Sequence, residues 1–205
     1  MHNDNLKGIL LMTVSMALFA IEDAFIKLAA TSLPVWEILL FMGMGGIAVF
    51  SALLIARKER FFPPEAFSKP ILYRMMGEII GRVFYSLALA LASMSVVATV
   101  LQATPLAVTL GAALVFKETV GPRRWAAVII GFFGVLLIIR PGLDGFEPAA
   151  LLSIVGLAGL SVRDLSTRAA PRSLSNYQLG LYGFVALIPT ALVMRLFSAP
   201  WVTPE

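Results

Sequence analysis

Twice in this chain an aspartate precedes a base by four residues, as Asp23–Lys27 and as Asp164–Arg168. Glu22 adjoins the first pair. Arg74, Glu78 and Arg82 recur at the same spacing, which puts all three on one helical face. Gln102, Thr104, Pro105 and Thr109 add an amide, two hydroxyls and a carbonyl freed by the proline. All of them lie in or beside long apolar runs. Ionisable groups at membrane depth are costly, so they mark a solute pathway, a proton relay or a pair with a neighbouring helix. Reversible binding of a polar small molecule is the chemistry that fits. Acid/base catalysis by paired carboxylates in an integral membrane enzyme is the alternative.

The elements that must carry these groups are membrane-length helices. A hydrocarbon core of about 30 Å takes about 20 helical residues. Candidate spans run over Leu6–Ala30, Val35–Ala56, Ile71–Ala92, Val96–Phe116, Trp125–Ile139, Ala149–Ala170 and Tyr177–Phe197. Ser93-Met94-Ser95 breaks an otherwise uncharged stretch, and Gly121-Pro122 and Pro141-Gly142 bracket the fifth span. Counted at about 1.5 Å per residue from Lys7, Glu22 and Asp23 lie about 22–24 Å into the first span; Arg82 lies about 17 Å into the third.

The chain also repeats. Ala17–Ile47 falls on Ala158–Ile188 without a gap, at an offset of 141 residues, with seven of 31 pairs identical. Asp23 aligns with Asp164, Lys27 with Arg168 and Trp36-Glu37 with Tyr177-Gln178. Five spans precede the second copy, so it enters the membrane inverted, which is the build of secondary transporters. Loop charges agree. Arg57, Lys58, Arg60 and Lys69 share one side with Lys117, Arg123 and Arg124, and with Arg168 and Arg172, which predicts a cytoplasmic N-terminus. The first repeat is expected over residues 6–140. The second, over 149–205, is expected to be incomplete, a ten-helix fold truncated to about seven spans. Arg163 and Asp164 are then expected to lack partners.

Composition fixes the class. Hydrophobic residues make up 59% and mean hydropathy is +0.90, outside soluble usage. The net charge of +4 sits in short loops and argues for membrane orientation, not nucleic acid. There is no cysteine, so no thiol chemistry or disulfide is available. The start MHNDNLKG lacks a basic n-region and cleavage site, and the first apolar run reads as a retained span. His2 is the only histidine, and no P-loop or metal motif occurs, so no ATP-driven step, cofactor or metal site is predicted.

Ala90–Pro141 carries Pro105 in its fourth span, Glu118 at the end of that span, Arg123-Arg124 in a basic loop, and Gly131 and Gly134 in the fifth span. In these features it resembles the EamA domain of the drug/metabolite transporter superfamily. The resemblance implies ten helices in two inverted five-helix repeats, no enzyme activity, and carriage of a small organic metabolite across a bacterial inner membrane. The opening GILLMTVSMALFAIEDAFIKLAA looks most similar to bacterial riboflavin transporters, then to S-adenosylmethionine carriers. Amino-acid and drug carriers share the fold.

Two readings are open at each site. Asp23–Lys27 and Asp164–Arg168 are gates at opposite mouths of a central pathway, or interfacial charges that snorkel to headgroups. Glu78 and Arg82 face substrate, or simply neutralise each other. Gln102, Thr104 and Pro105 line a broken-helix site, or form a kink whose freed carbonyl is bonded by hydroxyls. Gly43, Gly45, Gly46, Gly131 and Gly134 are expected to let helices approach closely. The partners implied are a small-molecule substrate and the lipid bilayer; the sequence is silent on oligomeric state. A non-transporting assembly partner is the remaining class.

Overall fold

The computed structural model describes residues 2–139 and 147–196. Arg140, Pro141, Gly142, Asp144, Phe197 and the tail Ala199–Glu205 lie outside the described residues. Among those described, no strand occurs. The helices are α1 (His2–Ala29), α2 (Val35–Arg57), α3 (Lys69–Leu91), α4 (Met94–Leu101), α5 (Thr104–Val115), α6 (Pro122–Ile139), α7 (Ala150–Arg168) and α8 (Asn176–Leu196), with a short 3₁₀ turn at Pro64–Phe67.

Local chemistry sets most boundaries. Pro34 is extended, at φ −66° and ψ 144°, and α2 begins one residue later. α2 ends where Lys58 turns left-handed at φ 55° and its amide bonds back to the Ile55 carbonyl. α3 carries Pro70 in its first turn, where the missing amide costs nothing. α4 and α5 form one membrane-length rod interrupted at Gln102–Ala103, because Pro105 cannot donate into the preceding turn. Thr104 Oγ1 donates to the Leu101 carbonyl at 2.5 Å and Thr109 Oγ1 to the Pro105 carbonyl at 2.8 Å, so hydroxyls satisfy the break.

Among the described residues, six segments are long and apolar enough to cross a membrane: Gly8–Ala29, Val35–Arg57, Met94–Val115, Pro122–Ile139, Ala150–Arg168 and Asn176–Leu196. α3 is not among them, since every 18-residue stretch of it contains Arg74, Glu78 and Arg82. It is nevertheless the central helix, packed on α1, α7 and α8. Its charges point into neighbouring helices. The protein is therefore an all-α polytopic membrane protein, with α3 as a seventh rod whose charges are paired internally.

The α3–α7 seam is the most extensive, and glycine makes it possible. A Cβ on Gly159 would stand 2.5 Å from the Gly81 amide nitrogen, and one on Gly77 2.7 Å from the Arg163 amide nitrogen. A Cβ on Gly156 would stand 2.9 Å from the Tyr85 amide nitrogen. Backbones approach this closely only where both helices present small residues. The expected packing glycines divide. Gly43 and Gly46 meet Ile188 and Phe184 of α8, and Gly131 meets Leu106, whereas nothing lies within 4 Å of Gly45 or Gly134. The close-approach expectation is corrected at those two, which face open space on this chain.

α2 and α8 run antiparallel: Arg57 stacks over Tyr177 at 4.2 Å at one end and Arg195 over Trp36 at 5.4 Å at the other. α7 also runs antiparallel to α3, whereas α1 runs parallel to it. Helices aligned by the sequence repeat thus point in opposite directions. Large apolar side chains such as Leu11, Phe25 and Leu28 of α1 and Ile130 and Leu137 of α6 are exposed, as lipid-facing surface requires.

Candidate functional site

The face of α3 that carries Arg74, Glu78 and Arg82 turns toward α1, α7 and α8. Arg82 Nη1 meets Glu22 Oε1 at 2.8 Å, and Arg82 Nε donates to Glu78 Oε1 at 3.1 Å. The other oxygen of Glu78 lies 3.5 Å from Arg163 Nη1, and Arg163 Nη2 is 2.8 Å from Asp164 Oδ1. Arg74 Nε donates to Thr167 Oγ1 at 3.0 Å, which in turn donates to the Arg163 carbonyl at 2.8 Å. A continuous chain of charges therefore runs from α1 through α3 to α7. Glu78 is 4% exposed and Arg74 8%.

Each link has a physical reason. Side chains four residues apart on α3 stack on one face, so Glu78 reaches Arg82 without rearrangement. The glycine seam brings α7 close enough for Arg163 to reach Glu78. A Cβ on Gly183 of α8 would stand 3.5 Å from Arg74 Nη2 and 3.8 Å from Glu78 Oε2, so α8 covers this flank with backbone. At this depth an unpaired guanidinium or carboxylate costs several kcal/mol, on the order of the translocon scale, and mutual pairing offsets it.

The structure brings Glu22, Glu78 and Arg82 together and separates other expected partners. Asp23 and Lys27 form no ion pair. Lys27 Nζ instead donates to the carbonyls of Leu89 at 2.7 Å and Ala92 at 2.8 Å, at the end of α3. Those carbonyls have no partner within the helix and sit at its negative end, which attracts the ammonium. Asp164 pairs with Arg163 and not with Arg168, which reaches Glu118 at 2.6 Å in an exposed pair. The expectation that Arg163 and Asp164 lack partners is likewise corrected. Gln102 is exposed and caps α4, Thr104 is half-buried, Pro105 is exposed, and none of the three touches the charged chain.

Sequence reasoning placed Arg74 on the charged face of α3 but missed Arg163, Thr167 and Tyr85 as members. The Tyr85 hydroxyl is buried and makes no hydrogen bond; neither does Arg74 Nη1. Asp23 and the Tyr85 side chain face each other between α1 and α3. One signal pointed to Arg163. It aligns with Glu22 across the repeat, and those two residues pair with the neighbouring α3 charges Glu78 and Arg82.

A groove of about 340 Å³ between α5 and α6, lined by Leu110, Trp125, Phe132 and Phe133 among others, lies away from this chemistry. Its lining presents apolar surface and none of the charged groups. Among the described residues no group of His, Cys, Asp and Glu could hold a metal ion.

Membrane-length helices around a buried chain of ion pairs define a polytopic membrane protein. The chain belongs to the EamA-like transporter family, whose model matches residues 6–140. It is 21% identical over 211 residues to an S-adenosylmethionine uptake transporter of Rickettsia prowazekii, covering 99% of this chain and 69% of that protein. Riboflavin transporters of Rhizobium johnstonii and Vibrio cholerae are 34% and 37% identical. Those alignments cover 46% and 51% of this chain and 36% and 35% of the two relatives. No solved structure matches the chain. Family and helices together make it a multi-pass protein of the bacterial inner membrane.

Proposed function

We propose that this protein is a secondary transporter that moves a small organic metabolite by alternating access, with the Glu22–Arg82–Glu78–Arg163 chain at its working centre. The observation that carries the reading is Arg82, deep in the bundle and held by carboxylates from two helices. A charge so placed must be paired or line a polar pathway, and pairs bridging α1, α3 and α7 can break and reform as helices move. The antiparallel equivalence of α2 with α8 and of α1 with α7 supports two inverted repeats, with residues 6–140 the first and the N-terminus cytoplasmic. Riboflavin is the first candidate substrate, on the higher identities of those relatives. S-adenosylmethionine is the second, on an alignment spanning nearly all of this chain.

Gate roles are proposed anew from the observed partners. Arg168 with Glu118 closes one end of α7, and Lys27 on the carbonyls of α3 ties down the other end of the pathway. Gln102, Thr104 and Pro105 line the pathway at the α4–α5 break. The test is uptake of labelled riboflavin and S-adenosylmethionine into cells with and without the gene, and with Arg82→Gln. Uptake of one solute that depends on the gene and is abolished in Arg82→Gln is expected. Gene-dependent uptake of neither, or full uptake by Arg82→Gln, would overturn the reading.

A further inference from the structure

Three guanidiniums belong to the charged chain, and carboxylates hold two of them. Arg82 pairs with Glu22 and Glu78, and Arg163 with Glu78 and Asp164. Among the described residues Arg74 makes no ion pair, and its one hydrogen bond runs from Nε to Thr167 Oγ1 at 3.0 Å. Thr167 is itself tied to the Arg163 carbonyl, so the guanidinium is fixed in orientation. Its two outer nitrogens meet α8 at Gly183, where a Cβ would stand 3.5 Å from Nη2 and 3.8 Å from Nη1. Glycine brings no side chain to them, and the helical backbone there bonds to itself. Arg74 is 8% exposed, and Nη1 is buried without an acceptor. A guanidinium carries five donors in a planar fork that matches a carboxylate. In Arg74 the outer arms of that fork are unused.

We infer that Arg74 is the residue that takes the carboxylate of the carried solute. The inference rests on the transport reading above and decides between its two candidates. S-adenosylmethionine carries an α-carboxylate, whereas riboflavin has no ionised acid. A buried donor left unmade bears its full desolvation cost, so a guanidinium fixed this way suits an acceptor that arrives from outside the chain. The two carboxylate oxygens accept from Nη1 and Nη2 side by side, while Nε keeps Thr167. α8 must swing aside to admit them, and its sequence provides the break. Pro189 inside α8 cannot donate to the Val185 carbonyl, and helices bend at such a point. Displacing the Gly183 face uncovers both donors. A bound carboxylate then gives Arg74 the counter-charge that Arg82 and Arg163 find within the chain, which stabilises the loaded state.

The test compares S-adenosylmethionine with its decarboxylated form, which keeps the sulfonium and the amine. Equilibrium binding of each labelled compound to the full chain in lipid vesicles is measured, with uptake of S-adenosylmethionine and of riboflavin alongside. The wild type is expected to bind the carboxylate compound about tenfold tighter or more, the scale of charge-assisted hydrogen bonds. That preference falls to parity in Arg74→Gln and persists in part in Arg74→Lys, which keeps the charge and loses the fork. A role in folding alone would weaken both compounds together and leave their ratio unchanged in Arg74→Gln, and that result overturns the site. Equal binding of the two compounds by the wild type, or binding of neither, overturns it as well, whether or not a variant folds. Uptake of riboflavin without binding of S-adenosylmethionine overturns the carboxylate site and leaves the carrier standing. Uptake of neither solute overturns the transport reading, while the binding ratio still decides Arg74.

Discussion

Arg82 serves Glu22 and Glu78 at once, so neutralising it strands two carboxylates in a poorly solvated place. Arg82→Gln is expected to destabilise the protein by about 3–5 kcal/mol, the range for breaking a buried pair from one side. Thermal unfolding in detergent measures this. A loss within about 0.5 kcal/mol of wild type would show that the pairs are solvated and of little weight. The change of partner at Lys27 is equally open to measurement. A double-mutant cycle of Glu22→Gln with Arg82→Gln should give a coupling of about 0.5–3 kcal/mol, whereas Asp23→Asn with Lys27→Met should stay below about 0.5. A large second coupling would restore the helical Asp23–Lys27 pair. Lys27→Met alone should cost about 1.5–3 kcal/mol, from the loss of charge-assisted bonds to the end of α3.

Among the helices, α3 and α7 depend on glycine most. Gly159 leaves no room for a methyl group against the Gly81 backbone, and backbone cannot move aside as a side chain can. Gly159→Ala is expected to cost about 1–3 kcal/mol by overpacking and to pull Arg163 away from Glu78. Gly45→Ala and Gly134→Ala, with nothing within 4 Å, should be neutral or stabilise by up to about 1 kcal/mol through helix propensity. Side-by-side unfolding of the three variants decides it. Equal effects would mean that the α3–α7 seam is looser than described.

Across the whole molecule, the inverted arrangement makes a claim about sides. Thr119 follows Glu118, the partner of Arg168, and Ser32 lies between α1 and α2; both are exposed. In this cysteine-free chain, single cysteines at the two positions should label oppositely with a membrane-impermeant thiol reagent in intact cells. Reaction at Ser32→Cys and protection at Thr119→Cys are expected. The reverse pattern would place the N-terminus outside, and labelling of both would break the odd-span count on which the inversion rests.

By itself the sequence determined the helices and their membrane character. Apolar runs of bilayer length, punctuated by Pro34, Pro70, Pro105 and the Ser93–Ser95 break, permit little else when every backbone group must be bonded internally. Observed and expected boundaries accordingly differ by only a few residues. It also singled out Glu22, Glu78 and Arg82, because charge at depth is rare, and the structure brings the three together. What it could not decide was who pairs with whom. Helical spacing favours Asp23 with Lys27 and Asp164 with Arg168, but those pairings are worth only about 0.3–0.5 kcal/mol on a helix. Tertiary structure outbids them with the exposed carbonyls at the end of α3, the Glu118 carboxylate and the close glycine seam that delivers Arg163 to Glu78. Local spacing names the charged residues. Only the packing of α1 and α7 on either side of α3 chooses their partners, because at membrane depth the cost of leaving a charge unpaired exceeds any preference within one helix.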